Sequence, residues 1–258
     1  MMSPMLAHAI ESFQHGIEHH FDGTPRSRKF AILHVDHAIE LILKEKVVLM
    51  GKGIYKQDGQ TLSLHESLSS LEKSDINIPE KPRIQEIHDL RNTIQHKGLT
   101  PDNFTTQFFI NFAYLFFKRF AVQELSLDFR EVLPQKYINL MEGTPEFEIP
   151  DIRLDLKSTK DIGSSIEKVI RAYTILEHIS SAIIEKDQQV KGMHKALIIL
   201  GERKGVDKEK LDYLLSSIKA LRNKVVHSAY VPTGYEVDNY MNQVGHLLRL
   251  VGAFEKKG

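Results

Sequence analysis

Apolar residues recur at three- and four-residue steps along most of the chain, the spacing that keeps one face of an α-helix out of water. The pattern predicts helices over Met5–Phe21, Lys29–Met50, Leu64–Leu71, Arg83–His96, Phe104–Leu125, Ile166–Glu185, Lys195–Glu202, Lys208–Val226 and Val237–Phe254. A shorter helix is expected over Phe129–Met141. Asp22-Gly23-Thr24-Pro25 separates the first two helices, and Gly51–Gly59 reads as a loop with room for a short hairpin. Between Gly143 and Gly163, alternating charge and two prolines interrupt the helical stripe. That stretch is expected to be a linker, with a little strand pairing around Ile152–Leu156. The fold expected is all-α: two helical bundles of roughly four to five helices each, over 1–142 and 164–258, joined by 143–163.

An internal repeat adds to this picture. Ile87–Phe104 and Ile218–Tyr235 align without a gap, 131 positions apart, as IHDLRNTIQHKGLTPDNF over IKALRNKVVHSAYVPTGY. A match of this length at the same place in each half argues for duplication of one structural unit. On a helix, Ile87, Leu90 and Ile94 form one apolar stripe, as do Ile218, Leu221 and Val225. Asn92 and His96 stack on the roughly opposite face, Asn223 and His227 do the same, and Arg91 and Arg222 lie on the flank between. Gly98 suits a left-handed C-cap, and Pro101 and Pro232 prevent the helices from continuing. Each polar trio therefore falls in a last turn, where the helix C-terminus favours a cationic imidazole.

Those residue types fit metal-free RNA cleavage. One group must take the proton from the 2′-hydroxyl, another must protonate the leaving 5′-oxygen, and a cation must steady the charge on phosphorus. Histidine, with an ordinary pKa of about 6.5, can serve in either proton role. Arginine offers a fixed two-pronged donor for phosphate oxygens, and asparagine can orient the imidazole or bond the phosphate. One motif supplies one histidine, whereas two facing motifs supply an acid, a base and two arginines.

Arg91-Asn92-x-x-x-His96 and Arg222-Asn223-x-x-x-His227 resemble the R-x(4–6)-H signature of the HEPN superfamily, in which the residue after the arginine is often asparagine. Phe30–Lys44, FAILHVDHAIELILK, resembles the second helix of many HEPN domains and their A-x-E-L-x-L-K pattern, which marks Glu40 and Lys44 as supports for the site. Tyr230, three residues after His227, is near the R-x(4)-H-x-Tyr form of HEPN toxins, departing from it by one position. The resemblance covers both halves and implies two HEPN-like bundles, with Arg91, His96, Arg222 and His227 catalytic. Asn92, Asn223, Glu40, Lys44 and Tyr230 would support them in one composite cleft or in two equivalent clefts of a homodimer. It further implies a metal-independent endoribonuclease acting on single-stranded RNA, leaving 2′,3′-cyclic phosphate ends and using no cofactor. Toxin–antitoxin or antiphage defence is the implied setting, with an antitoxin or regulatory protein as partner. Some members of the family are non-catalytic binding modules, which is the alternative.

Charge and composition narrow the options. Lys plus Arg and Asp plus Glu number 34 each, so no global field draws in nucleic acid, and an RNA contact has to be local. The chain has no cysteine, which excludes disulfides, Cys–zinc sites and thiol catalysis. The N-terminus reads as an amphipathic helix rather than a secretory leader. The most apolar stretch, Phe108–Phe117, falls well short of the roughly 20 residues a bilayer-spanning helix needs. The expected location is cytoplasmic, with no membrane partner. A metal enzyme is a further alternative, since His15/His19 and His34/His37 lie at chelating helical spacings with Asp36 and Glu40 nearby, though no third ligand is fixed. The aromatic run Phe108, Phe109, Phe112, Tyr114, Phe116, Phe117 and Phe120 covers too much of one helix for base stacking and is read as packing.

Overall fold

The computed structural model describes residues 2–143, 152–186, 190, 192–228 and 230–254. Among them the chain is all-α. The helices are α1 (Pro4–Asp22), α2 (Pro25–Leu49), α3 (Leu64–Glu72), α4 (Lys81–Lys97), α5 (Asn103–Leu125), α6 (Phe129–Val132), α7 (Gln135–Gly143), α8 (Ile152–Thr159), α9 (Ser165–Lys186), α10 (Met193–Arg203), α11 (Lys208–His227) and α12 (Gly234–Leu250). The hairpin expected in Gly51–Gly59 amounts to one antiparallel bridge, Tyr55 to Thr61.

Local chemistry sets the helix starts. Ser3 and Thr24 accept from the backbone N–H groups of Leu6 and Ser27, and each is followed by proline at the first helical position. That capping starts α2 at Pro25, four residues before the apolar stripe begins. Ser63 with Glu66, and Thr233 with Glu236, form capping boxes for α3 and α12. The single helix expected over Phe129–Met141 is two, because Leu133 is extended ahead of Pro134. The strand pairing expected at Ile152–Leu156 is absent: those residues open α8. A short apolar run flanked by charge cannot be assigned to strand or helix by periodicity alone.

The helices gather into two compact units, 1–91 with 106–147 and 92–105 with 148–258. The segment 92–105, read from sequence as part of the first half, thus belongs to the second unit. In the first unit α1 lies along α2, and Phe13 stacks on Phe117 of α5 with ring centroids 4.7 Å apart. Phe129 closes that group at 5.2 Å from Phe117. The α5 aromatic run is buried, as its density on one helix predicts. In the second unit α9 is central, meeting α8, α10, α11 and α12. Its core joins Ala172 and Leu176 of α9 to Leu197, Leu215, Ile218, Tyr240 and Leu247. Among the described residues no helix is long and apolar enough to cross a membrane.

Candidate functional site

The first motif closes α4 as its residues require. Ile87, Leu90 and Ile94 are buried, Arg91 and Asn92 half-buried, and His96 exposed. Gly98, at φ 67°, takes the left-handed cap and donates its N–H to the Ile94 carbonyl at 3.1 Å. The chain beyond it is pinned to the second unit. Pro101 is buried, and Asp102 accepts from the Thr105 N–H at 2.9 Å and from Arg171 of α9 at 2.6 Å. The Arg171 guanidinium lies 3.6 Å from the Phe104 ring centroid.

The second motif closes α11. Ile218 and Val225 are buried, Asn223 is half-buried and His227 exposed. Ser228, with an extended backbone, donates its N–H to the Lys224 carbonyl. Arg222 departs from the flank position expected of it. It is 5% exposed, with its guanidinium 5.2 Å from the Tyr173 ring centroid and Nη1 donating to Asn223 Oδ1 at 3.2 Å.

The two helix ends meet through Lys97. Its ammonium donates to the carbonyl of Val226 at 3.0 Å and also to that of Val225, both in the last turn of α11. Helix-terminal carbonyls lack intrahelical donors, so a cation is well placed there. Burial pulls the Lys97 pKa below the ordinary lysine value. Asn92, His96, Arg222, Asn223 and His227 therefore all belong to the second unit.

Arg91 belongs to the first unit, where its Nε approaches Asp36 of α2 at 3.5 Å. Asp36 also meets His88 of α4 at 3.1 Å. No family model, curated protein or solved structure matches this chain. The assignment of roles therefore rests on side-chain chemistry.

Glu40 and Lys44, one and two turns after Asp36, pair with each other at 2.5 Å, and Lys44 also donates to Thr61 at 3.0 Å. Tyr230 donates its hydroxyl to Glu236 of the α12 capping box and lies under the Lys224 ammonium, 3.6 Å from its ring centroid. Those hydrogen bonds hold the Glu236 carboxyl down at about 2 and push the Tyr230 phenol up. The aligned aromatics differ: Phe104 is half-buried, Tyr235 exposed.

The chelating pairs read from sequence lie along the α1–α2 seam. His34 is 5.5 Å from His15 and 5.4 Å from His19, and His37 is 5.3 Å from His8, between ring centroids. Among the described residues, no three His, Asp or Glu side chains gather closely enough to hold one ion.

Sequence reading missed Asp36 as the partner of Arg91, and it missed His88, Lys97 and the Asp102–Arg171 pair. His88 alone left a signal: with Asn92 and His96 it repeats every fourth residue along α4.

Proposed function

We propose that this chain is a metal-independent endoribonuclease of HEPN type that cuts single-stranded RNA. The observation that carries the reading is the tie from Lys97 to the Val225 and Val226 carbonyls, because it joins the ends of both motif helices. His96 and His227 lie in those two last turns and are both exposed. One imidazole takes the 2′-hydroxyl proton as the 2′-oxygen bonds to phosphorus, and the other protonates the departing 5′-oxygen. The product is a 2′,3′-cyclic phosphate. Arg91 and Arg222 are the cations assigned to the phosphate charge, with Asn92 and Asn223 orienting the imidazoles. A cytoplasmic toxin or antiphage setting, with an antitoxin or regulatory protein as partner, belongs to the same proposal. So does pairing of the motifs within one chain or across a homodimer.

The test is cleavage of synthetic single-stranded RNA in EDTA by wild type, His96→Ala and His227→Ala. The expected result is cyclic phosphate ends from wild type and loss in both variants. A 3′-hydroxyl product formed only with added Mg²⁺ would overturn the mechanism. One observation favours a second reading, a non-catalytic HEPN-like binding module: the buried Arg222 commits its charge to Tyr173 and Asn223. Binding of RNA that is lost in the same two variants, without any cleavage, is the outcome expected of that module.

A further inference from the structure

Between α2 and α4 the first unit seals one carboxylate away from water. Asp36 is 2% exposed, and both of its oxygens lie 3.1 Å from Nδ1 of His88. Arg91 Nε stands 3.5 Å from the same carboxylate. A carboxylate accepts hydrogen bonds, so Nδ1 of His88 donates to Asp36, and in the neutral ring Nε2 carries the lone pair. The His88 side chain is 31% exposed, so the ring is gripped from inside while part of it stays open to solvent.

We propose that His88, held by Asp36 beside Arg91, is a proton-transfer group at a phosphodiester-binding site in the first unit. The inference rests on the ribonuclease reading and assigns the base duty, left open there between two histidines, to a third. His88 Nε2 takes the 2′-hydroxyl proton as the 2′-oxygen forms its bond to phosphorus. The P–O5′ bond then breaks, and the 5′-oxygen leaves with the electron pair and takes the proton that a motif histidine gives as acid. The proton on His88 returns to solvent, which restores the base. Arg91 meets the phosphate oxygens, while Asp36 is a positioning residue that fixes the tautomer and the ring.

The surroundings suit a base. From α2, Asp36 and Glu40 face the ring, and from α4 itself Arg91 does. The Asp36 hydrogen bond pushes the His88 pKa up, outweighing the burial and the Arg91 charge that pull it down. The repeat does not copy this arrangement: position 219, which aligns with His88, is an exposed lysine. The two motifs are therefore chemically unequal, with the sealed Asp–His pair in the first alone.

The full chain tests this with His88→Asn and Asp36→Asn. Asparagine at 88 keeps an N–H donor near the place of Nδ1 and removes Nε2, so Asp36 stays satisfied. His88→Asn is expected to lower cleavage at least about 100-fold while the variant stays folded at the assay pH. Asp36→Asn is expected to move the acid limb of the pH–rate profile to lower pH, because the bond that raises the His88 pKa is weakened. Wild-type cleavage by His88→Asn overturns the inference and leaves the ribonuclease reading standing. If wild type cuts no RNA, that reading falls, and histidine NMR decides the inference. An uncleavable 2′-deoxy oligonucleotide then shifts the His88 resonance, identified by its absence in His88→Asn, and does so less in Arg91→Lys. A His88 resonance that does not move overturns the inference as well.

Discussion

Lys97 Nζ donates to the backbone carbonyl of Val226 at 3.0 Å, fastening the last turn of α4 to the last turn of α11. The two residues are far apart in sequence, and each sits beside the motif histidine of its own helix. Replacing Lys97 by Met keeps the length of the stem and removes the charge that the terminal carbonyls attract. Lys97→Met is expected to lower the unfolding free energy by about 1–2 kcal/mol and to reduce RNA cleavage with both histidines intact. Chemical denaturation and the cleavage assay read the two effects; an unchanged midpoint would refute the tie.

The motif arginine and histidine on α11 separate by stability. Arg222 is buried over Tyr173, so Arg222→Ala leaves a cavity and is expected to cost roughly 2–3 kcal/mol. His227 is exposed, and His227→Ala is expected to stay within about 0.5 kcal/mol of wild type. Equal losses in urea titrations would contradict the burial of Arg222.

Stability should fall on mild acidification. Burial lowers the pKa values of His20, His34 and His37; His34 is lowered further by His19, His15 and His37, and His37 by His8. With folded values below the unfolded value of about 6.5, the unfolded chain binds more protons as pH drops past that point. Stability is then lost until the folded values are passed. His88 runs the other way: its raised pKa contributes stability that is present below about 6.5 and lost as pH rises through the folded value. Three groups oppose one, so Tm should be lower near pH 5.5 than near pH 7.5. His34→Gln should shrink that difference and His88→Asn enlarge it. A Tm that does not change between the two would show the seam to be inert.

Close helix approach gives a further prediction. A Cβ at Gly16 would stand 2.7 Å from Val35 Cγ2, and valine is stiff at χ1. Gly16→Ala is expected to destabilise by about 1–3 kcal/mol, with α1 pushed off α2. Gly98 has open space around it, so Gly98→Ala should cost only the left-handed backbone, about 1–2 kcal/mol. Thermal unfolding ranks the two, and a stabilised Gly16→Ala would rule out the close packing.

Much of the helical layout was legible because its causes are local. Gly98 ends α4, and the three- and four-residue apolar steps mark the faces that are buried, whereas the Thr24 cap starts α2 four residues before the stripe read for it. Local signals failed at Ile152–Leu156, where a short apolar run fits strand or helix equally and the chain is helical. The Asp36-His37 pair shows the same limit. Neighbours on a helix point about 100° apart, so Asp36 turns inward to His88 while His37 turns to His8.

The sequence by itself determined the all-α class, the end of α4 at Gly98 and the placing of His96 and His227 in exposed last turns. Tertiary structure alone decided that Arg222 is buried, that Arg91 and His88 share Asp36, and that Lys97 binds the end of α11. The physical reason is reach. Capping and periodicity act within one or two turns. A buried charge instead takes whichever partner the packing brings within a few ångströms, at any distance along the chain.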